Sequence, residues 1–463
     1  MAGIGFELKK LIETRSLRGV LSAAFSGTLV VAGPWLVSAA SLAAAQRLPF
    51  FAAVGLALEF NGAMIWALAL SICLSAAPLY IFVRLGSDLI YEGKRGEAAG
   101  LLLKFELLSA LVSLPAGLGL AALLVDSGPG ARLLRLSFAL LFAAVNALWA
   151  AMMTASLIRK QGRILAAYAA GMAAMYFLAS YLGPREGAPG ALLALASGYG
   201  LTALILVAAT LEALKRRPFP KALRRLGSYA RRYRNLALAG GLYAAATWAD
   251  KAALALFHGA SSAGTHFLVN PGYDSAYYYA NLALIPGLVY FTIITETEFD
   301  LGLKRFMSYL GRRRQPEIEA EKARLIRDTG VSIARQAGFQ AAVAAALALL
   351  APLVAPLLGF EAGVFTRLLG ATLFQLVFLT AFNILFYLEH YRDASLSALL
   401  FLLANLGLSI AAAASNRSAA LEGFPYLIAC AVSSALATAL AFRALRRFDR
   451  IAFLRASGEE YGL

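Results

Sequence analysis

Residues 188–234 read APGALLALASGYGLTALILVAATLEALKRRPFPKALRRLGSYARRYR. Up to Ala213 the stretch carries one charge, Glu212. An apolar run of this length crosses a hydrocarbon core of about 30 Å as an α-helix rising about 1.5 Å per residue. Beyond it come Lys215, Arg216, Arg217, Lys221, Arg224, Arg225, Arg231, Arg232 and Arg234, with no acid among them. A switch from lipid-soluble to strongly basic sequence marks a helix that leaves the membrane on its cytoplasmic side, where positive charge collects.

The same pattern repeats along the chain in both directions. Its 463 residues are 60% hydrophobic and 15% charged, against roughly 45–50% and about 25% in soluble domains. Apolar blocks fall near 19–45, 60–83, 99–125, 134–157, 164–183, 188–213, 235–257, 274–296, 337–358, 363–388, 394–414 and 424–445. Blocks of about 20 residues are helices rather than the alternating ten-residue strands of a barrel. The predicted fold is therefore an all-α integral membrane protein of about twelve transmembrane helices. Alternating the connections between two sides puts 35 of the 42 Lys and Arg on one side, with both termini there. Six lie on the other side, and Lys251 alone lies within a span.

The net charge of +16 thus reports orientation, and it does not form the basic patch on a soluble surface that nucleic-acid binding needs. The partner it implies is membrane lipid. Cys73 and Cys430 lie inside spans, without a CxxC pair or metal-ligand spacing, and read as packing residues. The first apolar run, from Gly19 to Ala45, exceeds the roughly 7–15 residues of a signal-peptide core and reads as a retained span. Ahead of it, Ile4, Leu8, Leu11 and Ile12 share one helical face, as in an interfacial or partner-binding segment. The basic stretch divides the chain into a six-span bundle with this segment (1–214), a linker (215–234) and a second six-span bundle with a tail (235–463). After Pro316, residues 317–328 read as a short charged helix in which Glu321 and Arg324 can meet at i, i+3. A solvated connector and a docking site for a cytoplasmic partner are both open.

Candidate functional residues are those that cost most to place in lipid. Asp250 and Lys251 sit deep in the seventh span, where a charge costs about 2.5–3.5 kcal/mol on insertion scales and must face protein or water. Adjacent residues point about 100° apart on a helix, so each needs its own partner. They either line a cavity, coupling an ion or touching substrate, or link helices structurally. Glu296, Glu298 and Asp300 end the eighth span; Glu296 and Asp300 share a face, as do Asp300 and Lys304, while Glu298 points away. They make either a solvated helix end or a cation or proton site. Tyr277, Tyr278, Tyr279 and Asn281 open the same span on the outer side, as an interfacial aromatic belt or as sugar-stacking groups. Pro34, Pro78, Pro115, Pro286, Pro352 and Pro356 fall inside spans, where each frees a carbonyl and favours a kink. Glu389, His390, Lys104 and Glu106, at span ends, are explained by snorkelling and local pairing. Three histidines without metal spacing, and no nucleophile elbow, P-loop or dinucleotide fingerprint, argue against an enzyme and against a bound cofactor.

Four places in the chain resemble the Pel exopolysaccharide transporter family, PelG. They are residues 1–11 (MAGIGFELKKL), Gly33-Pro34-Trp35, residues 248–251 (WADK), and Tyr273-Asp274 leading through Ile285-Pro286 to Glu296-Thr297-Glu298-Phe299. The resemblance implies membership of the multidrug/oligosaccharidyl-lipid/polysaccharide exporter superfamily, with two six-helix bundles forming a V around a central cavity and alternating access by rocking. It also implies a galactosamine-rich polysaccharide cargo moved across the bacterial inner membrane. The implied partners are a cytoplasmic glycosyltransferase, a cyclic-di-GMP-binding membrane receptor and a further inner-membrane subunit. A lipid-linked sugar flippase, an ion-coupled drug exporter of the same superfamily, and a non-transporting scaffold for the synthase are the alternatives.

Overall fold

The computed structural model describes residues 17–52, 55–157, 161–214, 223–310, 313–415 and 418–456. The amphipathic segment and the 1–11 motif, the first part of the basic linker and the end of the tail lie outside them. The described residues are 89% helical, with no strand among them.

In chain order the helices are α1 (Leu17–Ala45), α2 (Leu56–Tyr91), α3 (Arg95–Leu124), α4 (Ala131–Leu157), α5 (Gln161–Glu186) and α6 (Ala188–Leu214). The basic α7 (Leu223–Arg232) comes next, then the short pair α8 (Arg234–Ala246) and α9 (Ala249–His258). The eighth apolar block is α10 (Pro271–Leu282), α11 (Leu284–Tyr290), a π-turn (Phe291–Thr295) and α12 (Glu296–Tyr309). After it come α13 (Gln315–Leu358), α14 (Ala362–Tyr387), α15 (Tyr391–Ala413), α16 (Ser418–Leu421) and α17 (Phe424–Ala456).

Among the described residues ten helical stretches are long and apolar enough to cross a membrane. An eleventh is α1, if Leu21–Leu29 and Val31–Ala45, bent against each other, are taken together. The bend falls four residues before Pro34, where the ring clashes with the preceding turn. The block at 235–257 is interrupted instead, because α8 stops at Ala246 and α9 starts at Ala249. Pro78 and Pro115 lie within unbroken α2 and α3, and Pro352 and Pro356 within α13. Pro286 follows the break at Ala283 that separates α10 from α11.

Contacts divide the described chain into two units. One comprises Ala32–Ala244 with His258–Val269, and the remainder forms the other. In the first unit, where α5 meets α6, a Cβ on Gly171 would lie 2.0 Å from Thr202 Oγ1, so small residues set how closely those backbones approach. The connection 258–269 belongs to this unit. Its Phe267 is buried against Phe138 (ring centroids 5.1 Å apart), and Trp66 Nε1 donates to the Leu268 carbonyl at 2.8 Å. In the second unit α14 is the most enclosed helix, buried along both α13 and α17. Its Gln375, Thr372 and Thr380 face inward.

The 317–328 segment corrects the sequence reading. It is the start of the 44-residue α13, not a separate connector helix. Ile318, Glu321 and Leu325 are buried, and Glu321 pairs with Arg305 of α12 at 2.8 Å rather than with Arg324, which lies 3.5 Å from Asp328. The competing contact comes from another helix, beyond what i, i+3 spacing reveals.

Candidate functional site

The gap between α8 and α9 leaves two carbonyls, at Ala246 and Thr247, outside regular helix. In a membrane such groups must find partners within the protein. The Ala246 carbonyl accepts from Asn405 Nδ2 at 2.8 Å, and that of Thr247 accepts from Lys251 Nζ at 2.7 Å and from Tyr277 Oη at 3.3 Å. The Lys251 ammonium also sits 3.3 Å from the centre of the Tyr277 ring and 4.5 Å from that of Trp248, where ring faces stabilise a desolvated cation.

Asp250 is 1% exposed and Lys251 8%. Tyr273 Oη donates to Asp250 Oδ2 at 2.6 Å, and Asn405 Nδ2 reaches Oδ1 at 3.3 Å. The two charges approach to 3.9 Å, a loose pair beside their shorter contacts elsewhere. Tyr277 further meets Tyr426, hydroxyl to hydroxyl, at 3.2 Å. Tyr273 is placed by its helix start: Asn270 caps α10 by accepting from Tyr273 N at 3.3 Å, and Pro271 follows in the first turn. Asp274 returns the favour by accepting from Asn270 N at 3.0 Å.

The second polar region lies in the eighth span, which is itself interrupted at Ala283. Gln340 Nε2 donates to the Ala283 carbonyl at 3.0 Å, next to the Pro286 break, and to Thr372 Oγ1 at 3.1 Å. Gly287 makes room for it, since a Cβ there would lie 2.3 Å from Gln340 Oε1. The π-turn then leads into Glu296 and Glu298. Glu296 accepts from Tyr387 Oη at 2.8 Å and Glu298 from Ser332 Oγ at 3.0 Å. Both glutamates line a cavity of about 500 Å³, together with Phe291, Asp328, Arg335 and Asn383. Roughly 300–1,000 Å³ is the usual size of a small-molecule pocket. Asp300 is not part of this lining and pairs with Lys304 at 2.6 Å, as their spacing predicts.

The candidate residues therefore separate. Asp250, Lys251 and Tyr277 converge in one buried cluster, and Glu296 and Glu298 share the cavity. Tyr278 is partly exposed, Tyr279 lies 5.6 Å from Phe360, and Asn281 Nδ2 bonds the Tyr277 carbonyl at 2.9 Å. Sequence reasoning passed over Tyr273 as a partner for Asp250, along with Asn405, Tyr387, Ser332 and Arg335. Tyr273 stood in a quoted motif; the others are single polar residues in apolar helices. Among the described residues no group of His, Cys, Asp and Glu could hold a metal ion. His390 Nδ1 lies 3.2 Å from Asp393, which also accepts from Arg443 at 3.0 Å.

The fold matches solved transporters. A MOP superfamily transporter from Pyrococcus furiosus Vc1 (DSM3638) is 17% identical, with 92% of this chain and 96% of that chain covered and a TM-score of 0.53. A multidrug resistance MATE family transporter of the MOP superfamily, in its inward-facing conformation, is 13% identical over 92% and 98% of the two chains, with a TM-score of 0.56. An outward-facing structure of such a transporter is 16% identical over 94% and 95%, also at 0.56. No curated protein matches the sequence. The profile of the PelG family, "Putative exopolysaccharide Exporter (EPS-E)", matches residues 1–453. The chain belongs to the PelG family of putative exopolysaccharide exporters, as a multi-pass membrane protein whose fold is that of these solved transporters.

Proposed function

We propose that this chain is the inner-membrane subunit that carries a galactosamine-rich polysaccharide outward by alternating access, with both termini in the cytoplasm. A cytoplasmic glycosyltransferase supplies the growing chain, and a cyclic-di-GMP-binding membrane receptor and a further inner-membrane subunit complete the assembly. The observation that carries this reading is the cavity of about 500 Å³. Its lining mixes carboxylates, a guanidinium, an amide, a hydroxyl and aromatic rings, the set that hydrogen-bonds and stacks on a sugar bearing amino or acetamido groups. Glu296 and Glu298 contact cargo there. Asp250 and Lys251 hold the interrupted seventh span in shape and couple its movement to an ion. Tyr278 and Tyr279 are the groups available for sugar contact on the outer side.

The test is polymer secretion by cells carrying Glu298→Gln or Asn383→Ala at normal protein level, and secretion at the unmodified rate sinks the cavity assignment. The carboxylates also suit a second reading, a cation cargo handled as an ion-coupled drug exporter handles it. Reconstituted vesicles separate the two: uptake of a small organic cation, with polymer secretion intact after deletion, selects the second.

A further inference from the structure

The first unit holds a carboxylate that the cavity and the Asp250 cluster do not use. Glu106 lies 11 residues beyond the start of α3, about 16 Å along the helix axis at 1.5 Å per residue. At 100° per residue it falls on the stripe of Ala99, Leu102, Ser113 and Gly117, all buried. Leu107 and Leu111, on the other side, are more than half exposed. Glu106 therefore lies at the edge of the buried stripe, its side chain partly enclosed by protein. On this stripe Gly117 meets α4 so closely that a Cβ would lie 3.0 Å from Ala139 Cα.

Glu106 Oε1 is fully enclosed and has no hydrogen-bond partner among the described residues, and Ser113 Oγ, two turns further along the stripe, is in the same condition. The charged groups on the helices packed against α3 are engaged elsewhere or far along. On α2, Arg84 lies 3.5 Å from Asp88 and 5.2 Å from the Tyr233 ring. On α6, Glu212 pairs with Arg163 at 2.6 Å, and on α4 Arg135 donates to the Val125 carbonyl at 2.7 Å. Glu59 and Arg132 stand near the starts of α2 and α4, at the far ends of the two helical hairpins from Glu106. Lys104, on α3 itself, points about 160° away around the helix.

Asp250 offers the contrast. It has two hydrogen-bond donors and an ammonium 3.9 Å away, which stabilise the anion. A carboxylate with one oxygen enclosed by protein and with neither is driven toward the neutral acid by taking up a proton. We propose that Glu106 is held as the neutral acid and is a proton-binding site of the transport cycle. Its role in a cycle rests on the transporter reading; its protonation does not.

Infrared spectroscopy of the purified full chain in lipid nanodiscs tests the protonation, comparing the unmodified protein with Glu106→Gln. The expected result at neutral pH is a protonated-carboxyl C=O band that Glu106→Gln removes and that fades as pH rises. A spectrum with no Glu106-dependent band overturns the proposal. Glutamine is the neutral isostere of the acid, so the variant keeps the fold while losing the exchangeable proton. Its polymer secretion, at equal membrane level, should fall about tenfold, within the usual range for coupled sites. Glu106→Asp should retain part of it. Unchanged secretion by Glu106→Gln, with the band present, makes the acid structural and overturns the role. Failure of the cavity reading is seen separately: Glu298→Gln then secretes normally while the Glu106 band remains.

Discussion

The Asp250 cluster and the Glu296–Glu298 cavity lie on two successive interrupted spans of one unit, yet their charges are treated in opposite ways. Around Asp250 and Lys251 each polar atom is spent on a partner. The hydroxyl of Tyr273, the amide of Asn405, the carbonyl of Thr247 and the face of Tyr277 surround the two charges. Around Glu296 and Glu298 the hydroxyls of Tyr387 and Ser332 donate to the carboxylates, and open volume lies beside them. The first arrangement fixes a break in a helix, and the second leaves charge available to something that arrives. Two pairs that look alike in sequence, ionisable residues within apolar blocks, thus divide into a pair enclosed by its partners and a pair bordering open volume.

The largest effect that would break this division is on Asp250. Asp250→Ala leaves the Lys251 ammonium buried without its nearest carboxylate, and strands Tyr273 and Asn405. Removing one partner of a buried charge pair costs about 3–5 kcal/mol, so membrane level and thermal unfolding temperature should fall sharply. Asp250→Asn, which still accepts from Tyr273, should recover part of the loss. An Asp250→Ala protein as stable as the unmodified chain would show that the cluster holds nothing together.

Glu298→Gln should show the converse. Its carboxylate borders open space and accepts from Ser332, and the amide can still accept that bond, so the substitution changes stability little. Secretion should drop about tenfold, equivalent to about 1.4 kcal/mol of lost interaction. A variant that unfolds would place Glu298 with Asp250 as a structural group.

How far sequence reached follows from the same contrast. Asp250 and Lys251 were visible because charge at depth is rare, and their need for separate partners follows from helix geometry. The gap at 247–248 was not visible, since no Gly or Pro marks it. Asn405 and Gln340, which satisfy carbonyls at two breaks, are lone amides in apolar helices, a pattern that long-range packing alone explains. Glu296 and Glu298 point apart on an ideal helix, and their sharing of a cavity required the packing of α12 on both α13 and α14. Counting apolar blocks gives about twelve spans, whereas the described residues hold ten stretches long and apolar enough to cross a membrane, or eleven with α1; the interruptions come from backbone hydrogen bonds no hydropathy average contains.

Between the two extremes lies Tyr387→Phe. It removes the hydrogen bond that Tyr387 Oη gives Glu296 Oε1 at 2.8 Å, while preserving the ring that packs edge-on with Phe299 at 5.6 Å. A hydrogen bond to a charged group is worth about 1.5–3 kcal/mol in a closed site, but water in the cavity can replace part of it. A stability loss of about 1 kcal/mol is expected, with reduced secretion if Glu296 must be held in place to meet cargo. No change in either would mean that water already serves Glu296 as well as the tyrosine does.

The smallest effect belongs to the pair His266–Asp126, 3.1 Å apart and about 60% exposed on both sides. Exposed ion pairs contribute roughly 0–1 kcal/mol and are screened by salt. The connection that carries His266 is also held by other means. Asp126 N donates to the Gly264 carbonyl at 2.9 Å and His266 N to that of Leu124 at 2.8 Å, while Phe267 is buried. Asp126→Asn preserves those backbone bonds and removes only the charge. Its unfolding temperature should match the unmodified protein at high salt and differ slightly, if at all, at low salt. A loss approaching that of Asp250→Ala would mean that burial is not what separates strong from weak charge pairs here, and the division between the cluster and the cavity would lose its physical basis.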